Sequence, residues 1–173
     1  AGPGDPELLT VRAYRILQQA DVILYADSLV PKQMVSLAKP GAELIQTANK
    51  TLEEILPIMV ERVRSQQSVV RLHSGDPTLY GAVHEQMLAL ADAEIPFEVI
   101  PGISAFQAAA AKLQVELTVP GLVQSIILTR IMMRVFQAFL FAILKRDKFI
   151  PFLIILGMLV GPHAPDLGLI DLR

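Results

Sequence analysis

The feature that most constrains the fold is the alternation, between residues 7 and 130, of short apolar runs with amphipathic stretches. The apolar runs, rich in β-branched residues, are residues 22–25, 43–46, 68–72, 97–100 and 122–129. Between them, apolar residues recur at the spacing of one helical face over residues 9–20, 34–38, 51–63, 79–90 and 104–112. Strands that alternate with helices of this length predict an α/β fold, with a mostly parallel sheet and flanking helices.

The helix predicted over residues 51–63 carries the clearest local signals. Thr51 is a good N-cap residue, and Glu54 stands three positions later, as a capping box requires. Pro57 lies inside the same stretch, where we expect it to kink the helix or to weaken its first turns.

The composition excludes several classes of protein. The 173 residues include no cysteine, which rules out a disulfide framework and a thiolate metal site and fits a reducing cytosol, the expected location. The formal charge is −2 and acidic and basic residues are interspersed, so we expect no nucleic-acid partner. The histidines, His73, His84 and His163, lack metal-ligand spacing, and we predict no metal site.

The sequence changes character after residue 130. Residues 131–144 and 149–160 are almost entirely apolar, and a charged stretch, residues 145–148, separates them. Each apolar run is shorter than the roughly 20 residues needed to cross a bilayer. We therefore divide the chain into a domain of residues 1–130 and an apolar, helical tail of residues 131–173. Three interpretations of the tail stay open: packed helices, a membrane-associated segment, or a sequence foreign to the domain.

The chain opens with a turn-rich loop, residues 1–6 (AGPGDP), which leads into the first predicted helix. In an α/β sheet, a loop of this kind follows a strand. We therefore expect a strand immediately before Ala1, although the sequence in hand does not contain one.

Polar loops fall at the carboxyl ends of the predicted strands. They are residues 26–29, 73–77 and 101–104, together with residues 2–6, which would follow the expected first strand. Ligands of open parallel sheets bind at this edge, where glycine admits a ligand to the backbone and Asp and Ser offer polar atoms. The loops together predict a polar crevice, although each one alone also fits ordinary turn and cap chemistry.

Motifs for other chemistries are incomplete. Residues 2–4 (GPG) lack the third glycine of a dinucleotide fingerprint, and the sequence has no P-loop. Residues 84–85 begin like a zinc-protease helix, but Leu88 stands where the second histidine belongs. Phe106 replaces the last glycine of a nucleophile elbow. His73, beside the predicted crevice, remains the histidine best placed for a role.

Residues 2–10 (GPGDPELLT) resemble the opening glycine loop of the tetrapyrrole (corrin/porphyrin) methylase family. Residues 25–30 (YADSLV) are similar to the segment after the family's second strand. Residues 73–81 (HSGDPTLYG) and 101–105 (PGISA) are similar to its two other cofactor loops. Within the family, residues 106–111 (FQAAAA) and 124–130 (QSIILTR) resemble the branch that methylates precorrin-4 at C11.

The resemblance implies two α/β domains with S-adenosylmethionine in the cleft between them, and methyl transfer to a ring carbon of a precorrin or cobalt-precorrin in cobalamin biosynthesis. It carries cofactor contacts onto Pro3, Asp5, Gly75, Asp76, Thr78, Leu79, Tyr80, Ser104 and Ala105. Asp76 is the first choice for a polar contact and Ser104 the second. For Asp5 three roles stay open, namely holding substrate, accepting a proton, or capping the following turn, and no catalytic base is assigned.

The chain departs from the family pattern at both ends, because the first strand is missing and residues 131–173 do not resemble the second domain. Three interpretations of function therefore stay open. One is a C-methyltransferase whose partners are a tetrapyrrole substrate and, as is common in the family, a second copy of the chain. The second is a cofactor-binding domain without turnover, truncated or fused, with or without a membrane association through the tail. The third is a membrane-associated or interaction protein in which the apolar tail dominates.

Overall fold

The computed structural model describes residues 1–128; the predicted tail lies outside this part. The chain divides into two compact units, Ala1–Leu113 and Gln114–Arg173. Within residues 1–128, no helix combines the length and apolar character needed to cross a membrane. The division at residue 130 stays a prediction.

A three-stranded parallel sheet forms the centre of the first unit. It consists of β1 (Val22–Tyr25), β2 (Glu43–Gln46) and β3 (Val69–Leu72), in the order β2-β1-β3. Val22 is in register with Glu43 on one side and with Val69 on the other. The prediction of an α/β fold with a parallel sheet and flanking helices is confirmed.

Helices cover both faces of this sheet. The helices of the first unit are α1 (Val11–Leu17), α2 (Lys32–Val35), α3 (Leu52–Arg64), α4 (Val83–Asp92) and α5 (Ala105–Lys112), of which α1 to α4 pack on the sheet. Ile23 and Tyr25 of β1 belong to an apolar cluster with residues of α1 and α2, whereas Val22 and Leu24 belong to one with residues of α3 and α4. Each fully buried side chain of this size stabilises the fold by ~1.5–3 kcal/mol, so β1 holds both helical layers together.

The sequence-based prediction was wrong for two strands. Residues 97–100 form no ladder with β3, because a cavity lined by both segments separates them. Residues 122–128 also form no strand: Gly121 adopts a left-handed φ of 78°, and the backbone turns back so that Val119 pairs with Val123 alone. Apolar, β-branched runs become strands only where a neighbouring strand lies about 4.8 Å away.

The helix predicted from residue 79 begins later, at Val83. Tyr80 and Ala82 have left-handed φ values of 58° and 49°, which the α-helix does not allow. The capping box at Thr51 and Glu54 is present, and α3 continues past Pro57 to Arg64.

Candidate functional site

The loop at the start of the chain is joined to the loop after β3 by backbone hydrogen bonds. The Gly75 N–H donates to the Gly2 carbonyl at 2.7 Å, and the Ala1 amino group donates to the His73 carbonyl. Gly2 and Gly75 both have left-handed φ values, 60° and 61°, which glycine adopts without strain. These two glycines let the loops approach backbone to backbone.

Asp76 joins the loop after β3 to the loop before α5. Its Oδ2 accepts a hydrogen bond of 2.9 Å from the Gly102 N–H. Its Oδ1 accepts one of 2.8 Å from the Thr78 N–H and another from the Thr78 hydroxyl. Burial alone would raise the pKa of the Asp76 carboxyl, but the hydrogen bonds from Thr78 and Gly102 outweigh it and lower the pKa below its usual value. Asp76 is therefore a carboxylate fixed in one orientation.

Gly102 lies too close to the loop after β3 to carry a side chain. A Cβ at this position would stand 2.5 Å from the Gly75 carbonyl oxygen, well inside van der Waals contact. A Cβ on Gly75 would itself lie 3.9 Å from the Ser104 Cα. The backbones of residues 2, 75, 102 and 104 therefore lie close together, because glycine at the first three positions leaves no side chain between the loops. We call these residues, together with the loops that carry them, the crevice.

The segment after β1 also reaches the first loop. The Gln33 side-chain amide donates to the Gly4 carbonyl at 2.9 Å, and a Cβ on Gly4 would stand 3.3 Å from the Pro31 Cγ. The predicted polar loops are thus brought to one edge of the sheet, beyond the carboxyl ends of β1 and β3.

The segment between the crevice and α4 has a constrained backbone. Gly81 packs so tightly that a Cβ would lie 2.2 Å from the Pro77 carbonyl oxygen. Tyr80 and Ala82, on either side of Gly81, hold left-handed conformations that cost a non-glycine residue about 1–2 kcal/mol each. The Leu79 and Tyr80 side chains are exposed, 39% and 61% of their surface respectively. Strain of this kind is typical of ligand-binding loops.

Ser104 stands at the start of α5, and its side chain is buried. It forms a reciprocal capping box with Gln107, whose side-chain oxygen accepts from the Ser104 N–H at 3.0 Å. Ala105, the first residue of the helix, is half-buried beside it. The structure thus shows Ser104 as a helix cap, and its predicted contact with a cofactor stays a prediction.

Pro3 and Asp5 differ in how far they are exposed. Pro3 is half-buried in the first loop, whereas Asp5 is exposed and caps the short 3-10 turn of residues Pro6–Leu8 by accepting from the Glu7 N–H at 3.0 Å. The structure therefore gives Asp5 the capping role, one of the three that the sequence left open.

His73 is a neutral group at this edge. Burial, with smaller contributions from Arg71 and the amino group of Ala1, lowers the pKa of His73 to about 4. The imidazole therefore adds no positive charge at neutral pH.

Sequence reasoning placed Gly2, Gly4 and Gly102 in polar loops but did not include them among the binding residues. The structure shows that they set the distances between the loops. The signal was available, because each glycine directly follows or precedes a proline in a loop that the sequence predicts at the binding edge of the sheet. Gln33, which contacts Gly4, carried no sequence signal.

The chain matches known proteins over most of its length. Residues 1–151 match the family model of the Tetrapyrrole (Corrin/Porphyrin) Methylases. The cobalt-precorrin-4 C(11)-methyltransferase of Priestia megaterium is 51% identical over 130 residues, which are 75% of this chain and 50% of that protein. The precorrin-4 C(11)-methyltransferase of Rhodococcus erythropolis is 50% identical over 131 residues, 76% of this chain and 53% of that protein.

Solved structures agree with these matches. The X-ray structure of a cobalamin biosynthetic enzyme, cobalt precorrin-4 methyltransferase, superposes with a TM-score of 0.75 at 50% identity, covering 78% of this chain and 56% of that one. The structure of the uroporphyrin-III C-methyl transferase of Thermus thermophilus, complexed with S-adenyl homocysteine, superposes with a TM-score of 0.61 at 41% identity. The match covers 70% of this chain and 52% of that one. The chain spans about half the length of the relatives that it matches. Its sequence motifs, its parallel sheet and the extent of these matches agree, and the chain belongs to the tetrapyrrole (corrin/porphyrin) methylase family.

Proposed function

We propose that this chain is the cofactor-binding part of an S-adenosylmethionine-dependent C-methyltransferase that acts at C11 of precorrin-4 or cobalt-precorrin-4. The observation that carries the proposal is the crevice, in which Asp76 ties the loop after β3 to Gly102 and Gly75 ties it to Gly2. Relatives that are about half identical over the same residues are named for this reaction. Activity and substrate belong to the whole protein, of which this chain covers the matching half.

The crevice suits a nucleoside ligand that carries a positive charge. Glycine at positions 75 and 102 lets the two loops meet backbone to backbone, so peptide groups rather than side chains are available there to a flat, polar ligand. The ionised carboxylate of Asp76 favours a cation over an anion, and the neutral imidazole of His73 adds no opposing charge. We assign Pro3, Asp5, Gly75, Asp76, Thr78, Leu79, Tyr80, Ser104 and Ala105 to the binding of this cofactor.

In the proposed reaction, S-adenosylmethionine supplies a methyl group that its sulfonium has already activated for in-line displacement. The protein then needs no nucleophile of its own, and its task is to fix the donor, exclude water and let one proton leave the acceptor carbon. Asp76 acts by holding the loops at a set separation, because both of its oxygens accept hydrogen bonds within the protein. The exposed Leu79 and Tyr80 side chains provide apolar surface for a macrocycle at the edge of the crevice.

Calorimetric titration of the purified chain with S-adenosylhomocysteine tests the cofactor half of the proposal. We expect micromolar binding with one site per chain, because the contacts lie within Ala1–Leu113. A folded chain that does not bind at millimolar ligand would contradict the proposal.

Methyl transfer is tested separately from binding. Incubation of the whole protein with labelled S-adenosylmethionine and precorrin-4 should move the label into a product methylated at C11. Binding without transfer would favour the second interpretation of the sequence, a cofactor-binding domain without turnover.

A further inference from the structure

We propose that Arg71 receives a carboxylate of the ligand that occupies the crevice. Arg71 is the third residue of β3 and precedes the loop that carries His73 and Asp76. The inference rests on the function proposed above and deepens it, because it assigns a protein partner to the negatively charged end of the ligand.

The Arg71 side chain extends towards the carboxyl edge of the sheet. Arg71 is in register with Leu24, which packs in the apolar cluster shared with α3 and α4. Residues paired across neighbouring strands point to the same face, so Arg71 lies on the side of these helices. Its Nη1 donates a hydrogen bond of 2.7 Å to the hydroxyl of Thr47, the residue that follows β2. The side chain therefore crosses β1 and places its guanidinium near the edge where ligands of parallel sheets bind.

The charge of this guanidinium is not compensated within residues 1–128. Its Nε is shielded from solvent and has no hydrogen-bond partner in this part of the chain. The ion pairs among these residues are formed by other cations, namely Arg12, Lys39 and Arg62. Thr47, which is 3% exposed, offers Arg71 a neutral hydroxyl and no negative charge. A half-buried cation without a carboxylate is unfavourable, so the position suits an anionic ligand group.

The chemistry of the guanidinium indicates a carboxylate. Its planar fork of N–H donors matches the two oxygens of a carboxylate, which it binds through parallel hydrogen bonds. Arg71 and the ionised Asp76 lie five positions apart on one segment, with the neutral His73 between them. This order of charges fits a ligand that carries a cation and a carboxylate at different points, as the amino-acid end of S-adenosylmethionine does. The acidic side chains of a tetrapyrrole are the second source of the same group.

Titration calorimetry with two nucleosides tests the first source. S-adenosylhomocysteine has the carboxylate, whereas 5′-methylthioadenosine keeps the nucleoside and the thioether but lacks the amino-acid end. In Arg71→Gln we expect the affinity for S-adenosylhomocysteine to fall roughly tenfold or more and the affinity for 5′-methylthioadenosine to stay unchanged. Arg15→Gln, at an exposed position of α1, is the matched control and should bind both nucleosides like the unmodified chain.

A porphyrin with carboxylate side chains, uroporphyrin, tests the second source. It is titrated in the presence of saturating S-adenosylhomocysteine and followed by absorbance. Weaker porphyrin binding in Arg71→Gln, with unchanged binding of both nucleosides, would assign the carboxylate to the macrocycle. Unchanged affinities for all three ligands would overturn the inference and leave the proposed function standing. Equal losses for the two nucleosides would also overturn it, because Arg71 would then only support the fold. An unmodified chain that binds neither nucleoside would contradict the proposed function as well.

The Nε–H signal of Arg71 in a nitrogen–proton NMR spectrum gives a second measurement on the unmodified chain. The signal is identified by its absence in Arg71→Lys, a variant that keeps the positive charge. We expect the signal to shift on addition of S-adenosylhomocysteine or of the porphyrin, and to stay in place with 5′-methylthioadenosine. A signal that moves with none of the three ligands would overturn the inference.

Discussion

The carboxylate of Asp76 and the backbone N–H of Gly102 are joined by a hydrogen bond of 2.9 Å across 26 residues of sequence. This bond connects the end of β3 to the start of α5, so that the spacing of two crevice loops depends on one side chain. It makes Asp76 a positioning residue whose removal is expected to act on ligand affinity through the loops.

Asp76→Ala should weaken the binding of S-adenosylhomocysteine and leave the fold largely unchanged. Hydrogen bonds to a charged acceptor are worth ~1.5–3 kcal/mol, so we expect a loss in affinity of roughly tenfold or more. Titration calorimetry measures the affinity, and circular dichroism checks the fold. Asp92→Ala, at the exposed end of α4, removes the same charge and should bind like the unmodified chain. Equal affinities in the unmodified chain and both variants would show that Asp76 does not contribute to the binding site.

Gly102→Ala should lower both affinity and stability, because the new Cβ would overlap the Gly75 carbonyl oxygen at 2.5 Å. Overpacking of this kind costs ~1–3 kcal/mol. Gly41→Ala is the matched control: it adds a methyl group in open space at a left-handed φ, in the turn that precedes β2. Urea unfolding should show a lower free energy of unfolding in both variants. Titration with S-adenosylhomocysteine should show weaker binding in Gly102→Ala alone. Unchanged affinity in that variant would mean that the loops tolerate a wider spacing.

Ser104→Ala and Thr51→Ala form a second matched pair, since each removes the N-cap of a capping box. Each substitution should lower the free energy of unfolding by about 1 kcal/mol. Only Ser104→Ala should also weaken ligand binding, because α3 begins outside the crevice. Equal ligand binding by the two variants would show that Ser104 caps α5 and does not contribute to the binding site.

The stability of the protein should decrease with acidification because of His73. Its pKa in the folded chain is about 4, below the ordinary value of 6.5, so the unfolded chain binds the proton more tightly. The stabilisation is fully present above pH ~6.5 and is lost as the pH falls towards ~4, with a slope of at most about 1.4 kcal/mol per pH unit.

Urea unfolding at pH 7 and pH 5 measures this dependence. His73→Gln should flatten it, whereas the exposed His84→Gln should not. A pH dependence that is the same in all three proteins would show that His73 is already accessible to protons in the folded state.

The sequence predicted the bounds of β1 and β2, although β1 is buried at all four positions and β2 is exposed at three of its four. It failed at residues 97–100, where the apolar run has no strand beside it in the described chain. It also failed at Tyr80 and Ala82, since nothing in a tyrosine or an alanine signals the left-handed backbone that they adopt on either side of Gly81. The loops were identified from glycine, proline and aspartate. The hydrogen bond between Asp76 and Gly102 that connects two of them could not be predicted, because it depends on a distance in the folded chain.

Gly2 and Gly75 meet through one backbone hydrogen bond, so the first loop and the loop after β3 share a contact at the crevice. Anything that orders the first loop reduces the conformational entropy that a crevice ligand must remove, and the ligand does the same for the loop. Because coupling free energies are reciprocal, order in the first loop and affinity at the crevice are expected to rise together. A small molecule bound at this edge of the sheet would thereby also hold the start of the chain in place.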